Sequence, residues 1–557
     1  MTMESKVQLS PVEIIKQRSN FLRGTIVESI ADAQTGALAE DDTQLSKFHG
    51  FYQQDDRDLR NERTRQKLEP AYCFMIRVRV PGGIVTPQQW LAMDKLARSH
   101  ANGTLRLTTR QAFQFHGVIK SRLKETLRGI NDSLLDTIAA CGDVNRNVMC
   151  TPLDERSNVH AAACAVAKGI SEKLTPRTTA YHEIWLDGKK VVGQTDNEPL
   201  YGPTYLPRKF KIGVVIPPSN DVDVLSQDLG FIAIEKDGEL AGFNVTAGGG
   251  MGMTHGDDRT YPRIADVIGF CAVPQAVDVA EKVVGLQRDY GDRTNRKQAR
   301  LKYTIDDRGL DWFRAGLQAR LGYALQAPRP YAFTSRGDEF GWTTDRMGAE
   351  HLTLFVPEGR LKDDEPGYLS GIAEVARVHR GDFRLTANQN LIISRIAPDT
   401  RPAIVRLLKD FGIADAQNVS PLRQQALACV ALPTCALAMA EAERFLPELT
   451  QRIEALLDDH GLSNEAISLR ITGCPNGCAR PYLAEIALVG KAPDRYNLFL
   501  GGSADGLRLN RLHAENIDVQ QVCEILGRHF EEFASHRRSG ESFGDYIARS
   551  AALKVLS

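Results

Sequence analysis

Residues 105–119, LRLTTRQAFQFHGVI, alternate apolar and polar side chains in the two-residue rhythm of a β-strand. Upstream, Thr86-Pro87 supplies an N-cap and a first helical position, which predicts a helix around residues 90–97. Residues 402–411 read as a second helix, closed by Gly412. Leu449, Ile453, Leu456 and Leu457 form one apolar stripe before Gly461, as the buried face of a helix does. The pattern is mixed α and β throughout.

The pattern also repeats. ARSHANGTLRLTTRQAFQF (97–115) matches ARVHRGDFRLTANQNLII (376–393) with one residue deleted, and FMIRVRVPGG (74–83) matches LTLFVPEG (352–359). A weaker echo links FNVTAGGGMG (243–252) to NLFLGGSADG (497–506). Two copies almost half a chain apart predict related halves about a pseudo-twofold axis, not a solenoid. Breaks near 68, 140, 330 and 410 divide the chain into an N-terminal arm and linker (1–67), a first half-domain (68–140) and a large lobe (141–330). A second half-domain (331–409) and a second lobe (410–557) follow.

The copies differ in charge. Arg77 and Arg79 stand two apart on one predicted strand face, where the second copy has Thr353 and Phe355, and Arg110 faces Asn388. Arg106, Arg146, Arg208, Lys209 and Lys211 also lie in or beside apolar strand-like runs. Each alone reads equally well as a solvated face. Together they imply partly buried cations, which are costly unless an anion is held nearby. The net charge over 557 residues is only -1, so nothing draws in nucleic acid or anionic lipid globally, and the anion site must be local.

The start of the chain lacks the apolar core of a signal peptide, and the most apolar run, ALACVALPTCALAMA (426–440), is too short to span a bilayer. The expected location is the cytoplasm, without membrane association. Ten cysteines in a reducing compartment then read as thiols. Cys73, Cys141, Cys150, Cys164, Cys271 and Cys523 are scattered, as core thiols are. Cys429 and Cys435 (C-x5-C), with Cys474 and Cys478 in TGCPNGCARP (C-x3-C), fit neither zinc-knuckle nor ferredoxin spacings well. A four-thiolate [4Fe–4S] cluster, a zinc site and incidental core thiols all stay open on spacing alone. TAGGGMG lacks the full context of a dinucleotide loop and reads as close backbone packing.

FHGFYQQDDRD (48–58), RLTTRQAFQFHG (106–117), DVNRNVMCT (143–151), YLPRKFK (205–211), RLTANQN (384–390) and the cysteine pairs resemble the sirohaem and iron–sulfur sulfite/nitrite reductase family over residues 10–550. The likeness is greatest to haemoprotein (β) subunits of its NADPH-dependent assimilatory branch. It implies a duplicated pair of ferredoxin-like α+β half-domains with two larger α/β lobes, and six-electron reduction of sulfite to sulfide in sulfate assimilation. Sirohaem-dependent nitrite reduction, ferredoxin-driven, is the alternative. Cys429, Cys435, Cys474 and Cys478 would hold the cluster, and Cys478 would also ligate the sirohaem iron. Arg77, Arg146, Lys209 and Lys211 would line the substrate site. Gln54, Arg106, Arg110, His116, Arg208, Arg300, Asn388 and Gln389 would lie near the macrocycle. No flavin or nicotinamide motif is evident, so the resemblance implies a flavoprotein reductase as electron donor; the amphipathic residues 10–30 read equally well as a docking arm or as an ordinary surface helix.

Overall fold

The computed structural model describes residues 8–153, 155–177, 185–186, 189–190, 198–413 and 418–556. The first antiparallel sheet uses β1 (Phe51–Asp55), β2 (Tyr72–Val78), β4 (Leu105–Leu107) and β5 (Phe113–Val118), with β3 (Ile84–Val85) leaving it. The first lobe has a sheet of β6 (Met149–Cys150), β9 (Ile212–Val215), β10 (Leu229–Lys236), β11 (Glu239–Ala247) and β12 (Asp266–Ala272). A ribbon of β7 (Trp185–Leu186) and β8 (Lys189–Lys190) stands apart from it. A second antiparallel sheet uses β13 (Gly341–Thr344), β14 (Glu350–Leu354), β16 (Asp382–Leu385) and β17 (Leu391–Ile396), and β15 (Arg360–Leu361) leaves it. The second lobe has β18 (Ala426–Ala428), β19 (Leu469–Thr472), β20 (Ile486–Ala492), β21 (Arg495–Leu500) and β22 (Arg511–Ile517).

The duplication is complete. Both lobes run parallel, parallel, antiparallel, antiparallel across their five strands. The half-domains are joined by exchange: β3 pairs with β16 of the other copy, and β15 with β4. The exchange fixes two glycines. Gly83 and Gly359 have φ of 76° and 71°, and a Cβ on either would overlap the carbonyl of Leu385 or Leu107 in the opposite copy.

Thr86 caps the helix Pro87–His100 through a reciprocal capping box with Gln89. That helix packs against its counterpart Tyr368–Val378, and Trp90 meets both Phe113 and Phe383, so one apolar core spans the two copies. Leu449, Ile453 and Leu457 are buried in the helix Leu446–Asp459, and residues 401–410 are helical, as the periodicity predicts.

Two expectations need correction. The alternating run 105–119 is a hairpin, because Gln111 adopts φ 50° and Thr108 donates its N–H to Ala112 O, turning the chain between β4 and β5. Residues 108–111 and 386–389 build the same turn, with Gln389 at φ 70°. The break at 68 cuts through the first sheet, because β1 is its edge strand. The helix Pro11–Arg18 is pinned to the rest of the chain by Ser10 N–H to Arg293 O (2.9 Å) and by the buried Lys16. Among the described residues no helix is long and apolar enough to cross a membrane.

Candidate functional site: a thiol cluster beside a buried cationic cleft

Cys429 directly follows β18, and Cys474 and Cys478 follow β19, its parallel neighbour, so both pairs emerge at the carboxyl ends of adjacent strands. Small residues let the loops converge. A Cβ on Gly490 would overlap the carbonyl of Gly473, and one on Gly473 would meet Ala431 and the carbonyl of Ala440. Gly473 N–H donates to Cys429 Sγ (3.3 Å), and Asn476 Nδ2 to Cys474 Sγ (3.7 Å). Burial, then the other three sulfurs, pushes the Cys429 thiol well up. Burial and the neighbouring Cys478 likewise raise Cys435, and Cys474 to about 12. Cys429, Cys435 and Cys474, raised by burial and by neighbouring sulfurs, need metal charge to exist as thiolates. Among the described residues no three Cys, His, Asp or Glu side chains converge closely enough to hold a single metal ion.

The cysteine loop is the pseudo-twofold counterpart of residues 216–228 between β9 and β10. Asp223 and Arg480 occupy matching places, each six residues before its next strand and each left-handed, with φ of 47° and 54°. They form a buried ion pair with each other, and Arg470 (2.7 Å) and Arg336 (3.7 Å) join at the same carboxylate. Arg480 also donates to Thr109 O (2.9 Å) and Ala387 O (3.0 Å), equivalent carbonyls of the two half-domain turns. One arginine thus gathers all four repeated units two residues from Cys478. Thr109 Oγ1 completes the junction by donating to Cys478 O (3.1 Å).

Beside this junction lies the cationic cleft. Lys209 and Lys211 are enclosed by protein yet keep accessible surface, as residues lining a deep cleft do. Burial, then Arg208, lowers the Lys209 amine to about 7, and burial with Arg110 and Lys209 lowers Lys211 well below the usual amine range. The Cys478 sulfur acts on both lysines in the opposite direction, which ties the cleft to the thiol cluster. Arg110 is depressed to about 9 by burial and by Arg146 and Arg480; it donates to Gln227 Oε1 (2.9 Å) while its Nε stays unpartnered. Arg77 donates to Gln114 Oε1 (3.1 Å) and Cys141 Sγ (3.3 Å), and Arg146 to Gly142 O. His116 accepts from Gln114 (2.8 Å) and is kept neutral by burial and by Arg360, Arg106 and Arg77; its Nδ1 has no partner. Gln54 Oε1 is also buried without one.

Other predicted residues are occupied by the protein itself. Arg79 turns to Asp136, Ser171 and Thr175. Arg106 pairs with Glu443 (2.9 Å) and donates to Ala428 O (3.0 Å), which supports the cysteine loop. Arg300 is bidentate on the buried Asp228, whose carboxylate also takes the Lys211 N–H. Asn388 binds Asp338, and Gln389 binds Glu358 O and Leu107 O, both at the half-domain junction. TAGGGMG is close packing: a Cβ on Gly249 would overlap the carbonyls of Leu225 and Gln227, one on Gly250 the Arg300 guanidinium, and Met253 N–H reaches Pro475 O.

Sequence reasoning missed Tyr52, Lys47, Asp143 and Lys302 around the cleft. Burial and the adjacent Cys141 raise the Tyr52 hydroxyl, while Cys141 itself is fully buried, as the core-thiol reading expects. Tyr52 and Asp143 do lie within stretches noted for their sequence (48–58 and 143–151), but nothing local marked them. Lys302 is fully buried and donates to three backbone carbonyls, of Gly250, Gly252 and Tyr261.

Comparison with known proteins decides what surrounds this geometry. The nitrite and sulphite reductase 4Fe-4S domain matches residues 166–325, and the nitrite/sulfite reductase ferredoxin-like half domain matches twice, at 65–133 and 345–411. A sulfite reductase [NADPH] hemoprotein beta-component of Oceanobacillus iheyensis is 57% identical over 98% of this chain and 95% of its own. One from Myxococcus xanthus is 58% identical over 97% and 96%. The chain belongs to the nitrite and sulfite reductase family. The Mycobacterium tuberculosis NirA structure shares the fold, with a TM-score of 0.80 at 24% identity over 97% of this chain and 96% of that one. The 4Fe-4S match covers the first lobe, whereas the four clustered thiols lie in its duplicate.

The residues present fit the two groups of this family, sirohaem and a [4Fe–4S] cluster. Four neighbouring thiols, two of them with N–H donors aimed at sulfur, suit a thiolate-held cluster. Unpartnered buried donors at Arg110 and His116, among depressed lysines, suit a polyanionic macrocycle and an anionic substrate.

Proposed function

We propose that this protein is the sirohaem- and [4Fe–4S]-bearing component of an NADPH-dependent sulfite reductase, reducing sulfite to sulfide with electrons from a flavoprotein partner. The observation that carries the reading is the cleft itself: buried Lys209, Lys211, Arg110 and Arg146 without matching anions, beside Cys478, in a chain more than half identical to sulfite reductase haemoprotein components along almost its whole length.

When bound, the two cofactors supply the electron chemistry. Cys429, Cys435, Cys474 and Cys478 would hold the cluster, with Cys478 shared with the sirohaem iron. Arg77 and Arg146 clamp the oxygens of the anion, since a guanidinium binds oxyanions bidentately and does not give up its proton. Lys209 and Lys211 serve as proton donors, because burial and neighbouring cations make both ammonium groups more acidic than usual, Lys209 to about 7. Arg110, His116 and Gln54 would meet the carboxylates and edge of the macrocycle, and Arg208 would lie at that edge, where it also faces the substrate anion.

The test is kcat/KM for sulfite against nitrite with the purified holoenzyme, driven in turn by a flavoprotein and by a ferredoxin. A preference for sulfite and for the flavoprotein is expected. A preference for nitrite with ferredoxin overturns the reading.

A further inference from the structure

The N-terminal helix has a buried cation that the proposed chemistry does not use. Lys16, on the helix Pro11–Arg18, is 1% exposed; its Nζ donates to Glu13 and to Leu206 O (2.9 Å) and lies 3.7 Å from Asp143 Oδ2. Asp143 is 2% exposed and takes two hydrogen bonds from Arg296, at 2.6 and 2.9 Å. Its backbone zips two strands of the cleft together: Leu206 N–H to Asp143 O (3.0 Å), Phe210 N–H to Val144 O (3.0 Å) and Arg146 N–H to Phe210 O (2.9 Å). Glu13 is bound in turn by Arg293 (2.6 Å), which also donates to Tyr205 O (2.6 Å).

Arg208 is the third cation near Asp143, and it is kept at a distance. Its Nη1 stands 3.9 Å from Asp143 Oδ1, beyond hydrogen-bond reach, and more than a quarter of its side chain stays accessible. A buried carboxylate satisfies itself with the nearest cations: here Arg296 hydrogen-bonds both oxygens, and Lys16 adds a second charge at 3.7 Å without a hydrogen bond.

We propose that Lys16 is a positioning residue for the anion cleft: its charge beside Asp143 weakens that carboxylate's pull on Arg208, which stays able to face the bound anion. The N-terminal helix then acts on substrate affinity without touching the substrate. Burial pushes the Lys16 amine down while Asp143 and Glu13 pull it back up, as expected of a cation retained for its charge. Removing that charge lets Asp143 draw Arg208 in. The inference rests on the cleft being the anion site.

The test is equilibrium titration of the holoenzyme with sulfite, followed by its visible spectrum, together with steady-state kinetics. Lys16→Met should weaken sulfite binding about tenfold, the scale of one charge-assisted contact, and raise KM with kcat largely kept. Lys16→Arg should restore affinity. Arg208→Met should weaken binding similarly, and the Lys16→Met/Arg208→Met double variant should be no weaker than Arg208→Met alone. If Lys16→Met does not fold, Lys16→Gln, which keeps the hydrogen bond to Leu206 without the charge, gives the same readout. Unchanged affinity in the variant that folds, or single effects that multiply in the double variant, overturns the proposal. Lys211→Met separates the two ideas: near-normal turnover there removes the cleft reading itself, whereas a loss there with Lys16 variants unaffected removes only the role of Lys16.

Discussion

Asp223→Asn is the most direct perturbation of the junction on which the site is built. Asparagine is nearly isosteric and tolerates the left-handed backbone at φ 47°, so the change removes charge and little else. In the native protein burial favours the neutral acid, but Arg470, Arg480 and Arg336 hold the Asp223 carboxyl well below the usual carboxylate range. A group whose folded pKa is depressed contributes stability above its unfolded pKa of about 3.9 and loses it as pH falls further. The contribution is therefore fully present at pH 7. Neutralising Asp223 leaves three buried guanidinium groups without their shared anion, and breaking a buried pair from one side costs about 3–5 kcal/mol. At about 2–4 °C per kcal/mol for a folding unit of 150–250 residues, the transition should fall by roughly 6–20 °C. Differential scanning calorimetry of the holoenzyme at pH 7, with cluster absorbance followed in parallel, measures it. Because Arg480 lies two residues from Cys478, cluster bleaching should accompany the shifted transition. Adding Arg470→Met should recover part of the loss. A shift below about 3 °C would refute the claim that this charge organises the junction.

Other predictions follow from the same geometry. Cys478→Ser should lower both iron content and the haem spectrum, because one sulfur is proposed to serve two centres; an unchanged spectrum rules out the bridging role. Lys211→Met should leave both cofactors bound while depressing turnover at least tenfold, within the range for a lost proton donor. Lys209 is lowered to about 7, and bound carboxylates can only raise it, so turnover should fall with rising pH through a limb at or above about 7. Lys209→Met should abolish that limb, and its persistence would assign it elsewhere. Gly249→Ala should destabilise by about 1–3 kcal/mol and reduce sirohaem retention, since its Cβ overlaps two carbonyls beside Arg300; normal retention would show that this loop yields without cost to the cleft.

Local pattern carried a great deal. The repeats, the Thr86-capped helix, the Leu449 stripe and the four thiols were legible because each depends on residues close in sequence: a cap, a periodicity, a loop spacing. The charge difference between the copies was legible too, and it called for an anion before any fold was known. Tertiary structure decided which of those charges were spent. Arg79, Arg106 and Arg300 look like their neighbours in sequence, yet each meets a carboxylate 57, 337 or 72 residues away and is satisfied there. Arg110, Lys209 and Lys211 meet none as close. The helix at residues 11–18 reads as an amphipathic arm until Asp143 is placed over Lys16. Pairing of buried charge is a property of three-dimensional neighbours, because desolvation is set by everything within a few ångströms and not by what precedes or follows along the chain.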